Sequence, residues 1–139
     1  VLITQSWTLS LDAWPGDGAV TLPLRPVAEV GAVRVTAAGG AVTTVPAESY
    51  IVDRASLPPR LLPAAAPLPR PGVAALGIAI DFTAGFGAAA AVPAPIRQAL
   101  LLLVAHWYEN REPAAEDRHG AELPPALSPL LWPYRLVRL

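Results

Sequence analysis

Apolar and polar positions alternate from the start of the chain. Ile3, Gln5, Trp7, Leu9 and Leu11 are interleaved with Thr4, Ser6, Thr8, Ser10 and Asp12, the period of two that marks a half-buried strand. Trp14-Pro15-Gly16-Asp17-Gly18 reads as a turn. Ala19 to Leu24 then returns as a second strand, in which Pro23 argues against a central place in a sheet. Val30 to Thr36 and Ala41 to Val45 form a predicted hairpin, because Gly39 and Gly40 between them can supply positive φ. Ser49 to Asp53 is a short strand. Prolines recur from Leu57 to Pro71 and predict an extended surface connection packed through Leu61, Leu62 and Leu68. Leu76, Ile78, Ile80 and Phe82 alternate with Gly77, Ala79, Asp81 and Thr83, a further strand. Gly85 and Gly87 end it and free the backbone to turn.

The pattern changes at Pro93. Residues 93–112 predict one helix: Pro93 or Pro95 suits the first turn, where a missing N–H costs nothing, and Glu112 precedes Pro113, which disfavours continuation. Such a helix spans about 30 Å. Its centre, Ala99 to Ala105, is apolar on every face, so cover on several sides is expected. Pro113 to Glu122 is polar and charged, a loop. Beyond it Leu130 to Leu139 predicts an anchored tail, in which Leu136, Val137 and Leu139 beside Arg135 and Arg138 would make a short strand or a helical turn. The fold class is therefore α+β, with a β-rich N-terminal two thirds, one dominant long helix and an extended C-terminal tail. We expect a single domain over 1–139, divided into a β-rich region (1–92), the helix (93–112), and loop and tail (113–139).

Composition narrows the function. A chain of 139 residues suits one domain. Hydrophobic residues make up 53%, yet no apolar run approaches the roughly eighteen residues that cross a bilayer, and no membrane partner is expected. All ten basic residues are arginine and the formal net charge is -1, so the chain lacks the basic excess of a protein that grips nucleic acid. With no cysteine there is no disulfide, thiol chemistry or cysteine zinc site. There is no methionine, and the chain opens inside a strand pattern, which suggests a piece of a longer product.

Candidate chemistry is sparse. His106 and Glu109 lie three apart on the helix, but the second histidine, His119, is in the polar loop, and two histidines without converging carboxylates rarely make a site. A hydrogen-bonded histidine near a helix C-terminus is the simpler reading. Asp12, Asp17, Asp53 and Asp81 have neither calcium-loop nor paired-carboxylate spacing. Gly85 and Gly87 are too few for a phosphate loop. No metal, cofactor or catalytic residue is expected. Trp107 and Arg111 stand one turn apart, and Tyr108 lies beside them; these types are enriched at protein–protein hot spots. With Arg97, Leu101 and Val104 they form a candidate subunit interface. Trp132, Tyr134, Arg135 and Arg138 in the tail suit docking into a partner groove. The rival readings are a β-sandwich binding module with Trp7, Trp14 and Tyr50 as an aromatic platform for carbohydrate or a host surface, and a small hydrolase using His106 with Glu109.

Several blocks carry a family resemblance. Phe82-Thr83-Ala84-Gly85-Phe86-Gly87, Val92 to Ala99, the run Leu100 to Ala105, and His106-Trp107-Tyr108-Glu109-Asn110-Arg111-Glu112 resemble the head-tail connector (adaptor, head-completion) proteins of tailed phages and gene transfer agents. Leu130-Leu131-Trp132-Pro133-Tyr134-Arg135 and Leu2-Ile3-Thr4-Gln5-Ser6-Trp7 also fit. Family members usually begin with a further helical segment ahead of the position of Leu2. The resemblance implies a structural, non-enzymatic protein of the virion or phage-like particle, assembled in the bacterial cytoplasm. It implies a ring, dodecameric on the portal, beneath the portal protein and above stopper or tail proteins. DNA would pass through without sequence-specific binding, and the tail would dock on the portal.

Overall fold

A computed structural model of the chain describes residues 1–109 and 123–135. The chain divides into two compact units, Val1–Ala90 and Ala91–Leu139. The first is built of seven strands: β1 (Gln5–Leu11), β2 (Val20–Thr21), β3 (Val27–Thr36), β4 (Val42–Val45), β5 (Tyr50–Asp53), β6 (Arg60–Pro63) and β7 (Ile78–Ala84). They form two antiparallel sheets, a four-stranded one in the order β1-β7-β3-β4 and a three-stranded one in the order β2-β6-β5.

The alternation read in the sequence sets the register of the larger sheet. Along β7 every second residue, Ile78, Ile80, Phe82 and Ala84, is buried. Opposite them stand Leu11, Leu9, Trp7 and Gln5 of β1 on one side, and Val35, Val33 and Val30 of β3 face Ile78, Ile80 and Phe82 on the other. Val20 and Leu61 bring the smaller sheet into the same core, with Leu22 and Leu68 beside them. Burying each such side chain contributes about 1.5–3 kcal/mol. No polar or charged side chain is buried among the described residues, so this core is held by apolar packing.

Glycines shape two corners. Gly40, at φ +80, closes the β3–β4 hairpin, donating its N–H to Ala37 at 2.9 Å; Gly39 needs no positive φ. After β7, Gly85 adopts φ +138, and a Cβ there would lie 2.5 Å from the backbone of Thr4.

Four expectations change. The proline-rich stretch contains β6, the central strand of the smaller sheet, because Pro58, Pro59 and Pro63 bracket Leu61 and Leu62 and leave both N–H groups free for the ladder. The second strand shrinks to Val20–Thr21, at an edge as Pro23 required. Leu76 is excluded from β7: it takes φ 52, is exposed, and donates its N–H to Asp12 Oδ1 at 2.7 Å. Ile3 and Trp7, read as half-buried, are exposed: Ile3 lies ahead of β1, and Trp7 sits on an edge strand with nothing beyond it in its sheet.

The second unit holds α1 (Ala94–Glu109), α2 (Leu127–Leu131) and a 3₁₀ turn, Trp132–Tyr134. Pro93 stands just outside α1, and its carbonyl accepts the N–H of Ile96 at 3.0 Å and of Arg97 at 3.1 Å. Pro95 occupies the first turn, where no intrahelical donor is needed. Residues 110–112 of the expected helix lie outside the described residues. The tail is helical over Leu127–Leu131 and turns through Trp132–Tyr134, while residues 136–139, on which the choice of strand or helical turn falls, lie outside the described residues. Overall the protein is α+β, β-rich at first and with one dominant helix.

Candidate functional site

The centre of α1 is apolar on every side, yet only Ile96 and Ala99 are buried on the helix. α2 packs against it, so the all-round cover expected from the sequence is not supplied by the described chain. Leu101 is 65% exposed, Val104 60%, Trp107 58% and Tyr108 66%. Spacings of three and four residues place Leu101, Val104 and Tyr108 along one stripe, with Trp107 beside Val104. Arg97 is exposed one turn before Leu101. The structure thus gathers five of the six helix candidates on neighbouring turns; the sixth, Arg111, lies outside the described residues.

Between α1 and α2 runs an open, mainly apolar groove of about 490 Å³, lined by Leu100, Leu103, Leu127 and Leu131, with Arg135 at its rim. The tail candidates follow directly. Pro133 falls early in the 3₁₀ turn, where its missing N–H costs nothing. Trp132 is exposed, and the Arg135 guanidinium lies 5.1 Å from its ring centroid, within cation–π range. Tyr134 is half-buried. Arg138 lies outside the described residues.

The other candidate sites do not assemble. Trp14 donates its indole N–H to the Pro69 carbonyl at 2.7 Å and, like Tyr50, packs against the core, so these two do not form an exposed platform with Trp7. His106 is half-buried and Glu109 exposed; no group of three or more histidine, aspartate or glutamate side chains fit to hold a metal occurs among the described residues. No described helix is long and apolar enough to cross a membrane.

Comparison with solved structures supplies the context. Over its full length the chain superposes on a chain from the neck of an empty gene transfer agent (GTA) particle computed with C6 symmetry. The identity is 36%, the TM-score 0.80, and 69% of that chain is covered. A chain from the virion of a native GTA particle matches the whole length at 36% identity and a TM-score of 0.81, again covering 69% of its partner in the alignment. A third, from the neck of a native GTA particle computed with C12 symmetry, matches the whole length at 38% identity and a TM-score of 0.78, with 73% covered. The chain belongs to the head-tail connector proteins of phages and gene transfer agents. No protein-family model and no curated protein matches it.

Two polar constellations of this connector escape a reading of the sequence. On the outer face of the larger sheet, Asp81 accepts from the Thr8 hydroxyl at 2.7 Å and pairs with Arg34 at 2.7 Å, tying three strands together. Alternation places each residue on a face, but only the strand order brings them together. At the end of β5, Asp53 accepts from the N–H groups of Ala55 and Ser56, the Ser56 hydroxyl and Arg60. The Ser56 hydroxyl first, then Arg60, hold its carboxyl well below the usual carboxylate range. Here a local signal existed, an aspartate three residues before a serine in a turn.

Proposed function

We propose that this connector is an adaptor subunit that assembles as a ring beneath the portal, extends the DNA exit channel and joins capsid to tail. The carrying observation is the full-length match to chains of GTA necks computed with C6 and C12 symmetry, and a dodecamer on the portal fits the latter. Its place is the head-tail interface of the particle. A closed ring needs two different complementary surfaces on each subunit. The exposed stripe Leu101, Val104, Trp107 and Tyr108, with Arg97 and Arg111, serves subunit packing in this reading. Trp132, Tyr134, Arg135 and Arg138 serve portal docking.

The function is mechanical and involves neither a cofactor nor a chemical step. A net charge of -1 suits a conduit through which DNA slides without sequence-specific binding, since dense arginine contacts to phosphate would hold it. A strongly basic channel face in the assembled ring would contradict that part. Stopper or tail proteins would bind the ring's other end.

Co-sedimentation of the purified full-length protein with the purified portal oligomer tests the reading. Comigration at a fixed subunit ratio is expected. An intact portal that sediments without the connector contradicts it.

A further inference from the structure

Both edges of the four-stranded sheet are open: within it β1 pairs with β7 alone and β4 with β3 alone. Proteins usually blunt such edges with charge, proline or a bulge, because an unpaired row of N–H and C=O groups recruits another strand. Neither Gln5–Leu11 nor Val42–Val45 contains a charged residue or a proline. The register shifts of this sheet fall between its interior strands β3 and β7, while the β1–β7 and β3–β4 ladders run unbroken. The two edges are therefore competent to pair.

Strand direction decides how they can meet. Every neighbour in the sheet is antiparallel, so with four strands β1 and β4 run in opposite directions. A copy rotated about a ring axis, with its β4 set beside β1, continues the antiparallel alternation and keeps the apolar face on the same side. Side chains agree with this. Trp7 stands opposite Phe82, on the core face, yet is 41% exposed because no strand covers its far side. Thr43, opposite Val35, lies on that same face of β4 and is exposed, and aromatic residues pair favourably with β-branched ones across strands.

We propose that β1 of one copy pairs antiparallel with β4 of the next, joining the sheets head to tail around the ring and covering Trp7 with Thr43 of the next copy. This rests on the ring reading above. Cyclic symmetry selects this joint over a β1–β1 contact, which closes as a two-fold dimer. Four residues of β4 make a short joint, which the other ring contacts hold by raising the local concentration.

These 139 residues contain no cysteine, so within them the engineered thiols are the only ones. Ser6, Ser10 and Thr44 are exposed, and their partners across the strands, Thr83, Ala79 and Arg34, place all three on the outer face. Full-length Ser6→Cys/Thr44→Cys and Ser10→Cys/Thr44→Cys variants bracket the register. Assembled on the portal and treated with a short bismaleimide, at least one should give a ladder of cross-linked multimers up to the full ring, while each single variant stays monomeric on a denaturing gel. Rings seen by microscopy in which neither double variant cross-links would overturn the sheet joint and leave the connector ring standing. Dimers from a single variant would overturn it in favour of a two-fold contact, and failure to form rings at all would remove the ring reading and the joint together.

Discussion

Arg135 holds its guanidinium 5.1 Å from the ring centroid of Trp132, at the end of the described tail. The pair is presented outward, with both residues exposed, and an aromatic–arginine pair of this kind is a typical binding anchor. If it docks on the portal, Trp132→Ala should cost about 2 kcal/mol of binding, roughly thirtyfold in affinity. Titration of the labelled portal with each variant measures this, and Arg135→Ala should show a smaller loss.

On α1 the exposed Leu101 and Val104 contribute little to the fold of the single chain. A Leu101→Glu/Val104→Glu variant should change unfolding stability by no more than about 1 kcal/mol, the sum of two surface substitutions. Ring assembly on the portal should be abolished, because two charges would be buried unpaired in the contact. Urea unfolding and microscopy read the two effects separately.

Asp53 ties stability to acid. Its carboxyl is held below the ordinary value of 3.8 by the Ser56 hydroxyl and Arg60, so the contribution is present above that value and is lost as pH falls through the lower folded-state one. Asp53→Asn should lower the urea midpoint at pH 7, and the gap to the parent should close as pH drops below about 4. A gap that persists unchanged at pH 2.5 would contradict the assignment.

Gly85 is required by its backbone. At φ +138, with Thr4 backbone 2.5 Å from where a Cβ would sit, Gly85→Ala should destabilise by about 1–3 kcal/mol. Thermal unfolding checks it. Gly39→Ala, at ordinary φ with open space around it, is the control and should be close to neutral.

Much of the β unit was legible because burial there follows sequence period. β7 alternates without exception, and its inward residues are the buried ones. Where local rules compete, the reading failed. Prolines hid β6, although they bracket rather than interrupt Leu61-Leu62, and the alternation through Leu76 hid a backbone turn held by Asp12. The helix was legible from Pro93, Pro95 and its apolar run. What would cover Leu101, Val104 and Trp107 was not, because in the proposed ring that information belongs to the neighbouring copies. Thr8, Arg34 and Asp81 meet only through strand order, which no local pattern encodes.

The most direct measurement is a cryo-electron microscopy reconstruction of the full-length connector bound to its portal oligomer. The account predicts a closed ring of twelve copies stacked on the portal's outer end, with α1 faces at the subunit contacts and Trp132 against the portal. Connector copies scattered as monomers, or a ring in which the Leu101–Tyr108 stripe faces solvent, would contradict it.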